Sequence, residues 1–186
     1  MADRRLLKSQ IIKAWRQCIT EDYLVQRINS ERSLQASFWS RLNLLLSKNR
    51  RMFIEPCVVI RTNTGITRVY PDLVICNTKE VIGVIELKYQ PRAKPNYKKD
   101  ITTLTIIARH RKLISINNQR FRGQPIDEKL YRLSKNILFV WAGVHASINN
   151  DNHPLYSTGY NALRDCFMQL HAETSNNSFP EIYHRS

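Results

Sequence analysis

Three charged side chains interrupt two apolar segments in the stretch YPDLVICNTKEVIGVIELKY, residues 70–89. They are Asp72, Glu86 and Lys88. Two carboxylates that meet on a half-buried sheet repel each other and lose hydration, which is costly unless a cation neutralises them. Oxygen ligands without histidine or cysteine suit Mg²⁺ or Mn²⁺ better than zinc. A neighbouring ammonium can orient an attacking water or help to deprotonate it, so the pattern indicates phosphodiester hydrolysis.

This chemistry requires the three side chains to share one face of a sheet. Side chains alternate along a strand, so Glu86 and Lys88 point the same way. Asp72 joins them if it lies directly opposite Glu86 in an antiparallel pair. A plain two-residue turn would place the two acids on opposite faces. We therefore expect an odd loop centred on Lys79, or a bulge near Pro71.

A simpler interpretation of the same residues is structural. The tripeptide ELK is common, and taken alone it fits a surface salt bridge between Glu86 and Lys88, with Asp72 as a turn residue. The elements that surround these residues must therefore decide between the two interpretations.

Hydrophobic periodicity predicts the order of these elements. Ser30 is a plausible N-cap that places Glu31 in the first turn of a helix, and Asp100 is a plausible cap of a later helix. The predicted helices cover residues 4–19, 31–46, 101–108 and 158–171, and the predicted strands cover residues 52–61, 66–76, 81–89 and 136–144. We expect an N-terminal helical extension over residues 1–29, a core over residues 30–173 and a tail over residues 174–186.

The charge of the chain predicts a polyanionic partner. Lys and Arg number 29 against 15 Asp and Glu, which gives a formal net charge of +14. Residues 87–126 contain ten cations and one acid, whereas a merely solubilising surface intersperses the two signs. We expect this segment to bind nucleic acid. The predicted contact residues are Arg92, Lys94, Lys98, Lys99, Arg109, Arg111, Lys112, Arg120 and Arg122.

The sequence shows no apolar run near the ~20 residues that span a membrane, and no secretory signal pattern. We expect no membrane partner and an intracellular, cytoplasmic protein, associated with the nucleoid if the source is bacterial.

The whole constellation resembles the PD-(D/E)XK nuclease superfamily, which has the restriction-endonuclease-like fold. The resemblance covers about residues 30–171. It rests on PD at Pro71 and Asp72, on ELK at residues 86–88, and on the acidic residue Glu31 within SERSLQASFWSRL. It implies an α/β fold with an α-β-β-β-α-β-α core, in which helices flank a central mixed sheet.

The resemblance also implies the roles of the site residues. Asp72 and Glu86 would bind Mg²⁺ or Mn²⁺, the backbone carbonyl of Leu87 would be a further ligand, and Lys88 would serve the water. Glu31 would complete or support the site. The implied activity is that of a metal-dependent endonuclease, and we expect DNA as the substrate.

Several alternatives stay open at this point. Glu55 competes with Glu31 as the third carboxylate, although Glu55 precedes Pro56 and fits a strand edge. The chain could instead be a non-catalytic nucleic-acid-binding module, or a nuclease subunit of a transposition or anti-phage defence complex. A homodimer is a further possibility, because one small site cuts one strand at a time.

Overall fold

The computed structural model describes residues 2–63, 65–111, 114–117, 130–147, 155–175 and 178–186. The α-helices are α1 (Ala2–Gln17), α2 (Glu31–Leu45) and α3 (Lys98–Arg109). The strands are β1 (Arg51–Ile54), β2 (Val58–Thr62), β3 (Gly65–Val69), β4 (Leu73–Cys76), β5 (Glu80–Gln90), β6 (Ile114–Asn117), β7 (Leu130–Ala146), β8 (Phe167–Ser175) and β9 (Ser178–Arg185). A π-helical turn, Cys18–Tyr23, extends α1, and a 3₁₀ turn, Asn161–Leu163, precedes β8.

The strands form a central mixed sheet. β1 pairs antiparallel with β4, and β4 pairs antiparallel with β5. β5, β7 and β8 are parallel neighbours, and β9 closes the edge antiparallel to β8. The N-terminal end of β7 continues into a second group of strands, in the order β6, β2, β3. Helices flank this mixed sheet, which confirms the predicted α/β fold class.

Both faces of the sheet are covered where β5 and β7 pair, so residues 81–85 and 137–144 are continuous apolar runs. α1 and α2 pack on one face, which includes Ile85 and Leu87 of β5. α3 packs on the other face, which includes Val84 and Trp141. Because side chains alternate along β5, Glu86 and Lys88 belong to the face covered by α3.

The first two predicted helices are confirmed. Ser30 is the N-cap of α2, and its side chain accepts a hydrogen bond from the backbone N–H of Ser33 at 3.2 Å. α1 is more closely integrated than an extension, because Leu7, Ile11 and Trp15 are almost fully buried in the same core as α2.

Two of the four predicted strands are divided, whereas residues 81–89 are confirmed as a strand within β5 and residues 136–144 within β7. Residues 52–61 split at Glu55, which has a left-handed φ of 46°, and become β1 and β2. Residues 66–76 split before Leu73 into β3 and β4. β1, β4 and β5 are therefore successive antiparallel neighbours, and the β2–β3 hairpin is inserted in the chain between β1 and β4.

The predicted last helix is wrong. Residues 158–171 contain only a short 3₁₀ turn and the first half of β8. Phe167 packs on the α3 side of the sheet and Leu170 on the opposite side. Because this strand is buried on both faces, its apolar residues have a spacing that resembles that of a helix. Most of the described residues in the predicted C-terminal tail form β9, Ser178–Arg185. Among the described residues, no helix is long and apolar enough to cross a membrane.

Candidate nuclease site

The register of β4 and β5 brings the two predicted acids together. Leu73 pairs with Ile85 and Val74 with Val84, and one further step places Asp72 opposite Glu86. This register confirms the expectation that Asp72 lies directly opposite Glu86.

A bulge produces this register, although not at the expected position. The backbone N–H of Asn77 donates to the carbonyl of Glu80 at 2.9 Å, which closes a plain two-residue turn. Cys76 pairs with Val81, whereas Ile75 pairs with Gly83. Ile82 is therefore the extra residue of a β-bulge, which shifts the pairing by one and restores the shared face. The bulge lies on β5 and not near Pro71.

Asp72 and Glu86 are cross-strand neighbours. Besides burial, the charge of Asp72 raises the pKa of Glu86, so the two carboxyl groups are close neighbours, and Glu86 is only 7% exposed. The backbone N–H of Leu87 donates to Oδ2 of Asp72 at 2.6 Å, while the carbonyl of Asp72 accepts from Glu55 on the opposite side at 3.0 Å. Asp72 and Glu86 therefore form a non-hydrogen-bonded cross-strand pair, in which side chains approach most closely.

Lys88 lies between two further carboxylates. Its Nζ is 3.3 Å from Oε2 of Glu31 and 3.7 Å from Oδ2 of Asp100. Glu31 reaches it from the first turn of α2, and the same Oε2 accepts the backbone N–H of Tyr89 at 3.3 Å. Glu31 remains partly exposed, so this acid forms the solvent side of the cluster.

Asp100 is the site residue that the sequence prediction missed. It is not the cap of α3, whose N-cap is Tyr97, but occupies the first helical turn with its side chain buried. The indole Nε1 of Trp141 donates to Oδ2 of Asp100 at 3.2 Å. Its spacing in the sequence could have identified it. Asp100 lies on the same helical face as Leu104 and Ile107, where a charge is costly unless it has a partner.

The structure distinguishes between Glu31 and Glu55, the two candidates for the third carboxylate. Glu31 contacts Lys88, whereas the side chain of Glu55 is exposed and only its backbone N–H reaches Asp72. The geometry therefore favours Glu31 over Glu55 and adds Asp100 to the cluster.

Burial dominates the electrostatics of these acids. It raises the pKa of Asp72 to about 6, and the charges of Glu31 and Asp100 add to this rise. Burial and then the charge of Asp72 raise the pKa of Glu86 well above its ordinary value. Burial also raises the pKa of Asp100, against the opposing effect of Lys88.

Burial has the opposite effect on the pKa of Lys88. Burial alone would lower its pKa, but the charges of Asp100 and Glu31 outweigh this effect and raise the pKa above the ordinary value. The side chain therefore carries an ammonium group at neutral pH.

The donor set fits a hard divalent cation. Asp72 and Glu86 present adjacent carboxyl oxygens whose mutual repulsion a cation would relieve. The N–H of Leu87 points at Asp72, and the C=O of a strand residue points to the same side as its N–H. The carbonyl of Leu87 is thus directed towards the same acids. Carboxylate and carbonyl oxygens suit Mg²⁺ or Mn²⁺.

The predicted nucleic-acid contacts fall into three groups. Arg92, Lys94, Lys98, Lys99 and Arg109 are exposed. Arg111 is half-buried: its guanidinium donates to Sγ of Cys166 at 2.8 Å and lies over the ring of Phe139. Arg111 is therefore engaged within the fold. Lys112, Arg120 and Arg122 lie outside the described residues.

No protein-family model matches the chain, and no curated protein matches its sequence. Two solved structures are similar to this chain at low TM-scores. NucC of P. aeruginosa ATCC27853 in its cAAA-bound form has a TM-score of 0.41 at 11% identity, over 98% of this chain and 83% of that chain. NucC of E. coli MS115-1, also cAAA-bound, has a TM-score of 0.42 at 12% identity over the same shares. At these values the functional interpretation depends on the side chains around Lys88.

Proposed function

We propose that this protein is a metal-dependent endonuclease of the PD-(D/E)XK type, which hydrolyses phosphodiester bonds of nucleic acid, with DNA as the expected substrate. The observation that carries the proposal is the convergence of Asp72, Glu86 and Lys88 on one face of the β4–β5 pair. A surface salt bridge does not account for it, because Glu86 is buried against a second acid and Lys88 contacts Glu31 and Asp100.

Each residue has a distinct role in this proposal. Asp72, Glu86 and the carbonyl of Leu87 hold Mg²⁺ or Mn²⁺, which when bound supplies Lewis-acid polarisation of the phosphate and eases deprotonation of the attacking water. Lys88 donates hydrogen bonds from its ammonium to that water or to a phosphate oxygen, and so offsets the charge that develops in the transition state.

The acids on either side of Lys88 hold its Nζ in place. Glu31 holds it from the exposed side and Asp100 from the buried side. A flexible four-carbon side chain is thereby restricted to one position, which is the condition for efficient transition-state stabilisation.

The surface beside the site supports a polyanionic substrate. Lys98 and Lys99 are exposed on the first turn of α3, directly before Asp100. Arg92 and Lys94 are exposed on the segment that joins β5 to this helix. These cations lie along the chain between Lys88 and the body of α3, so they are suited to contact phosphates that flank the scissile bond.

Cleavage by the purified chain tests the proposal. Supercoiled plasmid, linear duplex, single-stranded DNA and duplex RNA are incubated with Mg²⁺, Mn²⁺, Ca²⁺ or EDTA. We expect cleavage with Mg²⁺ or Mn²⁺, and a loss of at least about 100-fold for Asp72→Asn, Glu86→Gln and Lys88→Met.

Glu55→Gln is the matched control, because it neutralises a nearby acid whose side chain is exposed. It should retain wild-type activity. If the wild type and the three site variants cleave at the same rate, the activity belongs to a contaminant and the proposal is wrong. If no substrate is cleaved although the wild type binds DNA and Mg²⁺, the chain is a binding module or requires a partner subunit.

A further inference from the structure

A second cluster of ionisable side chains lies on the α3-facing side of β7 and β8. It consists of His145, His171 and Glu173. The register pairs Gly143 with His171 and His145 with Glu173, so the three side chains are neighbours on one face. Both histidines are fully buried, and Glu173 is 8% exposed. A potential ligand atom from each residue lies within 4.8 Å of the others.

The hydrogen bonds of His145 define its tautomer. Its Nδ1 lies 2.9 Å from the carbonyl oxygen of Ala146, and a carbonyl can only accept, so Nδ1 carries the proton. In the neutral ring Nε2 is then unprotonated, and it accepts a hydrogen bond from Nδ1 of His171 at 2.8 Å. A metal-binding histidine usually donates one ring N–H to a backbone carbonyl and coordinates through its other, unprotonated nitrogen, which is the tautomer of His145.

Glu173 is oriented in a comparable way. Its two carboxylate oxygens accept hydrogen bonds from the hydroxyl of Tyr183 and, at 3.2 Å, from Oγ of Ser147. The ring of Tyr183 also stacks on His171, with centroids 4.6 Å apart. Outer-shell groups of this kind fix the direction of ligand side chains.

We propose that His145, His171 and Glu173 form a zinc site that is separate from the acidic site at Asp72 and Glu86. Two imidazole nitrogens and one carboxylate are a common zinc donor set, whereas the all-oxygen set at Asp72 suits Mg²⁺. Zinc would lie between Nε2 of His145 and Nδ1 of His171, and the His171 ring would then carry its proton on Nε2. Tetrahedral zinc requires these nitrogens to separate by about half an ångström.

The ring contacts of the cluster indicate which neighbouring side chain this zinc would hold in place. The rings of His145 and His171 contact Trp141, with centroids 6.1 Å and 5.4 Å away. Trp141 in turn donates to Asp100 beside Lys88. A zinc ion that joins β7 to β8 would fix the position of the Trp141 indole, which donates to Asp100. This role does not depend on the proposed nuclease activity.

Metal analysis of the full chain tests the proposal. The protein is stripped with a chelator, incubated with ZnSO₄, desalted and measured by inductively coupled plasma mass spectrometry. We expect one retained zinc per chain in the wild type and in the Asp72→Asn/Glu86→Gln double variant, and at least a tenfold loss of retained zinc in His145→Gln and His171→Asn. In a thermal melt, zinc at a hundredfold excess over its dissociation constant should raise the Tm of the wild type by about 5 °C or more.

The matched control is His110→Asn, which removes a histidine whose Nδ1 is also bonded to a backbone carbonyl. It should retain zinc. Zinc K-edge X-ray absorption of the loaded wild type counts imidazole ligands without any substitution, so it decides the question even if a histidine variant fails to fold. Absence of retained zinc, absence of imidazole ligands, or zinc that is lost with Asp72 and Glu86 overturns the proposal.

Discussion

The indole Nε1 of Trp141 donates a hydrogen bond to Oδ2 of Asp100, and that same oxygen faces the ammonium of Lys88. The contact joins β7 and α3 to β5 within the face that carries Glu86. The buried carboxylate of Asp100 therefore has two partners, Trp141 and Lys88, which fix its position. Loss of either contact should change the stability of the protein measurably.

Trp141→Phe should destabilise the protein and weaken catalysis together. The substitution leaves Oδ2 of Asp100 without its indole donor, so we expect a loss of about 1–3 kcal/mol in the free energy of unfolding. The turnover rate should fall more than KM changes, because Lys88 is displaced and not removed. Trp39→Phe is the matched control, since Nε1 of Trp39 is buried and has no hydrogen-bond partner among the described residues. Urea denaturation that shows equal losses for both variants would contradict this role of Trp141.

Gly143→Ala should disturb the same indole by steric conflict. A Cβ at position 143 would lie 2.2 Å from Cη2 of Trp141, whose ring occupies that space. We expect a loss of roughly 1–3 kcal/mol or more in stability, together with reduced cleavage. Gly83→Ala is the milder comparison, because its Cβ would meet the terminal Cδ1 of Ile75 at 3.2 Å. Thermal melts of the two variants should show the larger fall in Tm for Gly143→Ala.

The metal-free protein should lose stability as the pH rises through the titration of Asp72. Its pKa is about 6 in the fold against a reference value of 3.8, so the folded chain holds a proton that the unfolded chain releases. The associated stability is fully present below about pH 4 and is lost as the pH rises through about 6, by roughly 2–3 kcal/mol. Melts in EDTA from pH 4 to 8 measure this loss.

Neutralising that acid should reverse the effect. Asp72→Asn should melt above the wild type at pH 8 in EDTA, and it should lose the rise in Tm that Mg²⁺ gives the wild type. Glu55→Gln should do neither. A wild type whose stability in EDTA is constant between pH 4 and 8 would show that Asp72 is ionised throughout this range.

Lys98 and Lys99 should contribute to the salt dependence of binding. If each contacts one phosphate, the double Lys→Ala variant should weaken binding of all sequences and reduce the slope of log K against log salt by about 2. Lys79→Ala is the control, because this exposed lysine lies in the turn at the opposite end of β5 from Lys88. Fluorescence anisotropy with a labelled duplex between 50 and 200 mM salt measures both slopes. An unchanged slope in the double variant would remove these lysines from the binding surface.

Local patterns in the sequence were sufficient for several features of the fold. The stripe Leu34, Phe38 and Leu42 predicted α2, and Ser30 predicted its start. Alternation along β5 predicted that Glu86 and Lys88 share a face, and parity predicted that Asp72 must lie opposite Glu86. These features depend on neighbours in the chain or on one short turn, so the sequence contains the information directly.

Other features depended on contacts between distant segments. β8 is buried on both faces, so its sequence has no alternation that separates it from a helix. The sequence predicted that the register must shift by one residue, but it did not predict that the extra residue is Ile82. Several positions for an extra residue satisfy the same parity.

By itself, the sequence determined which residues have the chemistry for this site and which of them can share a strand face, because residue types and the alternation of a strand are local properties. Tertiary structure decided that Asp100, and not only Glu31, holds Lys88, and that His145 meets His171 and Glu173. Those contacts depend on how α3 packs across β5 and on the parallel register of β7 and β8, and packing between distant elements has no local signature in the sequence.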